Sequence, residues 1–395
     1  MKQDFLFTSE SVAEGHPDRL SDMISDAVVD RFLTQDPYSR IITECALSKG
    51  VVFLAARFVS QANVDLPDVA RSVIGQVGYR PEDFNAADCT VITSLITMPQ
   101  SQRAKADEQD MSDTEIEHLP VSHQATIFGY ACTQTPALMP LPIVLANGVA
   151  RGLTAARRRK AMAYLSPDCT VQVGVRYENA KPVRIQSVTV IAGVQHREKI
   201  DPVQLREDLV KHVIAPVFAD EPLGLDDATE IFVNPQGAFP KSGPAYHSGM
   251  TGRKSAADTY GGYARHNGAA LSGKDPSRID RIGVYAARYA AKNIVAAGLA
   301  EECEVQLSYS IGHAAPVSIQ VQTFGTGTVA DSEIQSRVAK HFDFRVGAII
   351  RDFNLRHLPA ERADGFYGKL PAHGHFANAL VDLPWEQTDK ADLLK

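Results

Sequence analysis

Cysteine is scarce in this sequence of 395 residues. The five that occur are odd in number and widely spaced: Cys45, Cys89, Cys132, Cys169 and Cys303. Neither a disulfide framework nor a CxxC metal site fits such spacing. The pattern is typical of a reducing compartment, and we expect the protein in the cytoplasm.

Long hydrophobic runs and an excess of positive charge are also missing. No stretch approaches the roughly 20 apolar residues that span a bilayer, and the N-terminal residues MKQDFLFTSESVAEGHPDRL lack the apolar core of a secretory signal. We therefore expect no membrane partner. The formal charge of -7 gives no general attraction for nucleic acid, so any polyanion must be bound by a local basic cluster.

A hydrophobic content of 44% over this length is enough for two to three domains. Apolar periodicity predicts a similar alternation of helices and strands three times along the chain. The predicted helices are 20–32, 202–214 and 282–297, and the predicted strands are 41–45, 51–58, 170–177, 183–193, 303–310 and 317–324. Three units of similar size would account for the length.

The segment from Met98 to Val121 is polar, charged and poor in apolar residues. Such composition is typical of a loop. We interpret the segment as a linker or as a lid over a site.

Glycines and basic residues are concentrated between Ser248 and Arg281. Gly268 to Lys274 fits the first seven positions of the phosphate-loop pattern GxxxxGK[ST], but Asp275 replaces the hydroxyl that ligates magnesium. A solvated glycine-rich turn is the alternative. Phosphate binding is favoured because five basic residues lie within the same stretch, with three possible metal ligands: Arg253, Lys254, Arg265, Lys274 and Arg278, and Asp258, Asp275 and Asp280.

A second candidate site lies at Glu14-Gly15-His16-Pro17-Asp18, where a turn stiffened by proline presents an imidazole and a carboxylate. Two structural alternatives remain open at this point. Asp18 or Ser11 can cap the following helix, and His16 can be an ordinary surface histidine.

These two segments resemble the signatures of the S-adenosylmethionine synthetase family. The first signature runs from Phe7 to Asp18 as FTSESVAEGHPD, and the glycine-rich segment is the second. Further stretches agree: Phe128 to Ala131, Gln195-His196, Asp258 to Gly262, Ala286 to Tyr289 and Pro384 to Glu386. The similarity extends from about Phe7 to the C-terminus.

The resemblance implies an α/β (α+β) fold of three similar βαβ-type domains related by pseudo-threefold symmetry. The expected boundaries are an N-terminal domain 4–100, a mobile gate loop 101–122, a central domain 123–233 and a C-terminal domain 234–395. It also implies a homodimer with two active sites shared between the subunits, and leaves open whether dimers pair into tetramers.

The implied activity is that of a methionine adenosyltransferase. Methionine sulfur displaces the triphosphate of ATP at C5′, and the tripolyphosphate is hydrolysed to pyrophosphate and phosphate. Two Mg²⁺ ions and one K⁺ ion assist. A triphosphate leaves with several negative charges, so preorganised cations stabilise the charge as it develops.

The resemblance also assigns residues by position. His16, Lys274 and Arg253 are expected to act in catalysis, with His16 at the departing 5′ oxygen. The expected ATP and phosphate ligands are His16, Asp168, Phe239, Arg253, Lys254, Lys274 and Arg278. The expected metal ligands are Asp18 and Asp280 for Mg²⁺ and Glu44 for K⁺. The expected acceptor pocket comprises Arg57, Gln100, His123, His247 and Ile311.

The chain departs from the family pattern on the side of the organic substrate. Arg57 replaces a glutamate that meets the methionine ammonium, and His123 and His247 replace aspartates. Thr170 and Ala238 replace a lysine and an arginine. The alternative for Arg57 is that it faces solvent or pairs with an acid.

Three hypotheses follow. The protein is a methionine adenosyltransferase with a rebuilt pocket, or it transfers adenosyl to a different acceptor that lacks an ammonium or carries an extra acid. Alternatively, it is a regulatory subunit that has lost turnover. Retention of His16, Asp18, Lys274 and Asp280 favours an enzyme.

Overall fold

The computed structural model describes residues 4–194, 200–219, 221–237, 239, 241–378 and 381–395. The strands are β1 (Phe5–Val12), β2 (Arg40–Ser48), β3 (Val51–Val59), β4 (Thr90–Thr97), β5 (Ala125–Cys132), β6 (Leu165–Glu178), β7 (Lys181–Val194), β8 (Glu230–Val233), β9 (Gly249–Met250), β10 (Glu302–Tyr309) and β11 (Ser318–Gln322).

The α-helices are α1 (Pro17–Gln35), α2 (Leu66–Val77), α3 (Pro81–Phe84), α4 (Asp113–Glu117), α5 (Leu141–Arg158), α6 (Pro202–Leu209), α7 (Ala215–Phe218), α8 (Ser255–Asp258), α9 (Ile279–Ala296), α10 (Asp331–His341), α11 (Val346–Asp352) and α12 (Leu358–Glu361). A π turn at Val210–Ile214 joins α6 to α7. Short 3-10 helices lie at Gln100–Gln102, Tyr367–Lys369, Pro371–His373, Pro384–Glu386 and Ala391–Leu394.

The element order repeats three times along the chain. A strand, a long helix, a hairpin of two strands and a second helix recur as β1-α1-β2-β3-α2, β5-α5-β6-β7-α6 and β9-α9-β10-β11-α10. A parallel strand closes the first two repeats, β4 beside β3 and β8 beside β7. This order confirms the predicted fold of three similar α/β units.

The three sheets are assembled by a cyclic exchange of strands. Their strand orders are β4-β3-β2-β9, β1-β6-β7-β8 and β11-β10-β5. The first strand of each repeat therefore pairs antiparallel with the hairpin of the next repeat, β1 with β6, β5 with β10 and β9 with β2. Each repeat contributes to two sheets, which accounts physically for the pseudo-threefold relationship.

Local sequence explains the hairpins. Lys49 and Gly50 have positive φ values of 46° and 81°, and Asn179 and Ala180 have 50° and 61°. Two successive left-handed residues form the tight turn whose twist suits neighbouring antiparallel strands. Strands predicted at 41–45, 51–58, 170–177 and 183–193 are therefore confirmed as two hairpins, somewhat longer than expected.

Helices cover one face of each sheet. Helices α1 and α2 pack beside the first sheet, α5 against β1 and β6, and α9 against β5 and β10. The other face of the first sheet exposes apolar side chains, including Phe53, Ile92, Ile96 and Met250. Across the described part of the chain, each helix is too short or too polar to cross a membrane.

Four aspartates on one face of α1 fasten the C-terminal loops to the first repeat. Asp18, Asp22, Asp26 and Asp30 recur every four residues, so they line up along the helix. They accept hydrogen bonds from the backbone N–H groups of Met250, Gly252, Gly273 and Tyr367, at 3.0, 2.7, 2.8 and 2.9 Å respectively. The helix that follows the first signature thus orders the second.

The polar segment 101–122 is packed against the rest of the chain. Two arginine–carboxylate pairs hold it, Arg103 with Asp36 and Glu108 with Arg356. Ile116 of α4 is fully buried. In this conformation the segment is therefore not a free linker. That it moves as a gate stays a prediction.

Candidate active site

His16 begins α1 and its ring is fixed by that helix. It occupies the N-cap position, and its Nδ1 accepts a hydrogen bond from the backbone N–H of Asp18 at 3.2 Å. Burial lowers the pKa of His16 to about 4. The neutral ring therefore carries its proton on Nε2, and His16 can donate a hydrogen bond to an anionic oxygen.

This position corrects two interpretations of the sequence. The helix is capped by His16, so Asp18 and Ser11 are wrong as caps. The hydroxyl of Ser11 instead donates to Asn147 at 2.6 Å. His16 is also not a surface histidine, because its side chain is only 12% exposed.

Asp18 lies between basic groups from the glycine-rich segment. Its Oδ2 accepts from Nζ of Lys254 at 2.7 Å, and its Oδ1 lies 3.5 Å from Nη1 of Arg253. Burial alone would raise the pKa of Asp18, but the hydrogen bond and charge of Lys254 outweigh it and hold that pKa below its usual value. Asp18 is therefore ionised and can orient the lysine.

Asp168 and His247 form a second pair beside His16. Nε2 of His247 lies 2.6 Å from Oδ2 of Asp168, which also accepts from the N–H of Gly243 at 2.6 Å. The hydrogen bond to Asp168 raises the pKa of His247 above its ordinary value. The rings of His247 and His16 are 5.4 Å apart, so this replacement residue reaches the first signature.

A cavity of about 550 Å³ adjoins this group and is lined by His16, Thr170, Arg253 and Lys254, among others. A neutral imidazole donor and two cations thus face one space. Guanidinium and ammonium groups are the usual protein ligands of phosphate. The geometry suits an anion with several oxygens.

Lys274, Asp280 and His123 form a separate group. The ammonium of Lys274 bonds to Oδ2 of Asp280, and Nε2 of His123 lies 3.0 Å from Oδ1. Burial opposes ionisation of Asp280, yet the hydrogen bond from His123 and the charge of Lys274 hold its pKa well below the usual range. Arg278 occupies the N-cap position of α9 without a side-chain cap, and its Nε is buried without a hydrogen-bond partner among the described residues.

Arg57 and Glu44 belong to the outer face of the first sheet. Arg57 on β3 is directly opposite Ile42 on β2, and Ile42 forms an isolated bridge with Lys274. Residues directly opposite in a sheet point to the same face, so Arg57 and Lys274 share it, and Glu44, two residues after Ile42, does too. Both Arg57 and Glu44 are exposed there.

The structure therefore brings the predicted residues together in two groups rather than one. The first contains His16, Asp18, Asp168, His247, Arg253 and Lys254, and the second contains His123, Lys274 and Asp280. Among the described residues, no hydrogen bond or ion pair joins the groups. The two groups are separate within one chain, and we name them the first and second half-sites.

Gln100, Ile311 and Phe239 belong to neither group, and they do not line the 550 Å³ cavity. Gln100 is exposed in a 3-10 turn, and Ile311 is 61% exposed after β10. Phe239 is half-buried and its carbonyl accepts from the N–H of Val194 at 3.2 Å. Ala238 and the stretch Gln195-His196 lie outside the described residues.

The candidate metal ligands already have partners in the structure. Asp258 is bonded to Arg19, and Asp275 accepts from the N–H groups of Ile41 and Ser277, both at 2.8 Å. Asp18 and Asp280 are likewise bonded to Lys254 and Lys274. Within the described ranges, no group of three or more His, Cys, Asp or Glu side chains could hold a metal ion. Asp18 and Asp280 would each need ligands from elsewhere.

The contacts of two buried acids beside the candidate site were not predicted from the sequence. Glu14 is buried and binds Arg157 and Arg158 at 2.8 and 2.7 Å, which ties the first signature to the end of α5. Asp26 binds the buried Arg281 and the N–H of Gly273. The four-residue spacing of the α1 aspartates was the signal available for Asp26.

Comparison with known proteins finds matches over nearly the whole chain. Family models for the N-terminal, central and C-terminal domains of S-adenosylmethionine synthetase match residues 4–101, 118–239 and 241–387. The S-adenosylmethionine synthase of Synechococcus elongatus is 46% identical, with 100% of this chain and 98% of the relative covered. That of Gloeothece citriformis is 44% identical, with 100% and 97% covered. The chain belongs to the S-adenosylmethionine synthetase family.

Proposed function

We propose that the protein is a methionine adenosyltransferase, which converts ATP, L-methionine and water to S-adenosylmethionine, phosphate and pyrophosphate. The observation that carries the proposal is the neutral His16 donor beside Lys254 and Arg253 at one cavity. The C5′–O bond of ATP breaks as the new S–C bond forms, and the 5′ oxygen leaves with the triphosphate. Negative charge thus develops where the donor and cations lie.

In this proposal each group has a distinct task. Nε2 of His16 donates to the departing 5′ oxygen, and Arg253 and Lys254 bind the polyphosphate. Lys274 and Arg278 bind it from the second half-site, and Asp168 and Phe239 hold the nucleotide. We also propose the domain boundaries expected from the sequence, namely 4–100, 101–122, 123–233 and 234–395.

Metal ions complete the proposed site. Mg²⁺ commonly takes one or two carboxylates together with substrate phosphates and waters, and a single ionised aspartate in each half-site suits that ligand set. Asp18 and Asp280 would hold two Mg²⁺ ions and Glu44 one K⁺ ion, on the exposed sheet face. Bound cations would neutralise charge on the leaving triphosphate.

We place the half-sites of two chains together in a homodimer. The first sheet exposes apolar side chains beside Arg57, Glu44 and Lys274, and a second copy that covered this face would bring its own basic group to them. Dimers could pair further into tetramers. We place the enzyme in the cytoplasm, where its five buried free cysteines would stay reduced.

A different acceptor is the second candidate, because the replacement residues are positive or neutral where the family is acidic. Arg57 would repel an ammonium, and unit charges 4 Å apart interact by about 4 kcal/mol at an effective dielectric of 20. His123 and His247 bind Asp280 and Asp168, so these two remaining carboxylates already have a partner in place of an ammonium. These contacts favour an acceptor without an ammonium or with an added acid.

The test incubates the protein with ATP, methionine, Mg²⁺ and K⁺ and detects products by mass spectrometry. S-adenosylmethionine supports the proposal, and its absence at millimolar substrate rejects it. Other thioethers tested in parallel identify a different acceptor. The double variant Arg57→Glu/His123→Asp should improve methionine use; no gain would reject the charge argument. Hydrolysis of added tripolyphosphate would exclude a regulatory subunit without turnover.

A further inference from the structure

A second cavity lies between the second and third sheets. It has a volume of about 420 Å³ and shares no lining residue with the 550 Å³ cavity of the candidate active site. Strand β1 forms one side, and strands β5 and β10 form the other. None of the proposed catalytic residues lines it, so the proposed reaction does not explain it.

Aromatic rings form most of its wall. Phe7 meets Tyr263 edge to face with the ring centroids 5.0 Å apart, and Tyr130 lies 6.1 Å from Tyr263 and 6.4 Å from Phe324. Phe5 completes the set. Five aromatic side chains therefore line one small space, and aromatic rings carry a quadrupole with a negative face.

The position of Phe324 is held by an unusual backbone. Phe324 has a φ of 55°, in the left-handed region, and Gly325 follows with 84°. A bulky residue rarely adopts that conformation, because its Cβ approaches the carbonyl oxygen closely. Such strain is concentrated at ligand sites and persists where the surrounding structure fixes it.

Two glutamates of β10 line the same cavity, and only one of them has a basic partner within the described part of the chain. Glu304 is buried and bonded to the guanidinium of Arg265, which also lies over the ring of Phe128 at 5.1 Å. Glu302 accepts one hydrogen bond from the hydroxyl of Tyr130, at 2.7 Å. No ion pair among the described residues involves Glu302. One carboxylate therefore remains without a counter-charge.

The pKa of Glu302 is consistent with this imbalance. Burial raises it above its ordinary value, and the neighbouring Glu301 adds to the increase. A positive charge in the cavity would stabilise the ionised form of Glu302.

We propose that this cavity binds an organic cation, an ammonium or sulfonium group carried on an apolar body. A cation over aromatic faces is attracted by the ring quadrupoles, and a nearby carboxylate adds direct charge attraction. The volume suits a small ligand, since binding pockets are commonly about 300 to 1,000 Å³. Two sources of this chemistry exist, a free amine and the sulfonium product of the proposed reaction.

Calorimetric titration of the full chain with choline and with its uncharged isostere 3,3-dimethyl-1-butanol tests the proposal. We expect choline to bind about tenfold more tightly. Glu302→Gln should remove that preference. The control is Glu301→Gln, since the Glu301 side chain is 63% exposed and does not line the cavity. Phe324→Gly should weaken choline without loss of folding, because glycine accepts the positive φ.

Equal affinity for choline and the isostere, no measurable binding of either, or the same effect from both glutamate variants would overturn the proposal. S-adenosylmethionine then distinguishes the sources. A tenfold weaker affinity in Glu302→Gln than in the wild type indicates the sulfonium product, and an unchanged affinity together with selective choline binding indicates a free amine. The circular dichroism spectrum of each variant confirms its folding.

Discussion

Nε2 of His247 lies 2.6 Å from Oδ2 of the buried Asp168. By the family resemblance, an aspartate is expected at position 247. Two carboxylates would then lie here, so a histidine changes the charge of the first half-site, and its effect can be measured through pH.

The first prediction concerns His247 and stability. Because the hydrogen bond to Asp168 raises the folded-state pKa of His247, the stabilisation is fully present below the unfolded value near 6.5 and is lost as pH rises through the folded value. The nearby charge of Lys254 opposes the shift, and that of Asp18 adds to it. The free energy of unfolding of the wild type should exceed that of His247→Gln by more at about pH 5.5 than at about pH 8.5. A difference that is independent of pH would contradict this.

The second prediction separates the two roles of His16. Asparagine caps helices well, so His16→Asn should keep the start of α1, whereas His16→Ala should cost about 1 kcal/mol of stability. Both variants lose the Nε2 donor, and kcat should fall by about 10² to 10⁴-fold in each. Urea denaturation and steady-state kinetics measure the two effects. A His16→Asn enzyme with normal kcat would show that His16 is only a cap.

The third prediction tests the two glycines of the phosphate-loop pattern. A Cβ at Gly273 would lie 2.1 Å from the carbonyl oxygen of Thr43, and its φ is +80°. A Cβ at Gly268 would meet nothing within 4 Å. Gly273→Ala should therefore cost more than about 2 kcal/mol and displace Lys274, whereas Gly268→Ala should stay within about 0.5 kcal/mol. Equal urea midpoints for the two variants would contradict the assignment.

The fourth prediction concerns the pair that holds the polar segment. Nη2 of Arg356 donates to Glu108 at 2.6 Å, and both side chains are buried. Arg356→Met should cost about 3 to 5 kcal/mol, because it leaves an unpaired buried carboxylate. The double variant Glu108→Leu/Arg356→Met should be less destabilised than the single one.

A matched control is Arg351→Met, since Arg351 pairs with the exposed Asp113. Its urea midpoint should stay close to that of the wild type. If the double variant were instead as unstable as the sum of both single variants, burial of an unpaired charge would not be the cause.

Local elements were predictable because their signals are local. The apolar spacing in α1 and the alternation in β2, β3, β6 and β7 gave these elements to within several residues. The exchange of strands was not predictable in this way. Phe5 of β1 pairs with Tyr177 of β6, and nothing in the sequence of either strand specifies a partner so distant in the chain.

The proximity of His16 and Asp18 was predictable, because one short motif places them two residues apart. The separation of the predicted residues into two half-sites was implied by the family resemblance alone. The spacing of residues in the sequence does not show that Lys274 contacts β2, whereas Lys254 contacts Asp18. The pairing of Glu14 was not predicted, because its arginine partners lie 143 and 144 residues away and leave no local pattern.

Attack at C5′ of ATP breaks the C5′–O bond, whereas attack at phosphorus leaves that bond intact. The fate of the 5′ bridging oxygen therefore distinguishes the two. ATP labelled with oxygen-18 at the 5′ bridging position is converted in the presence of methionine, Mg²⁺ and K⁺, and the products are separated by mass spectrometry. Attack at C5′ should leave the label in phosphate or pyrophosphate, with none in the adenosyl product. Label that stays on the ribose of AMP or ADP would show attack at phosphorus and contradict attack at C5′.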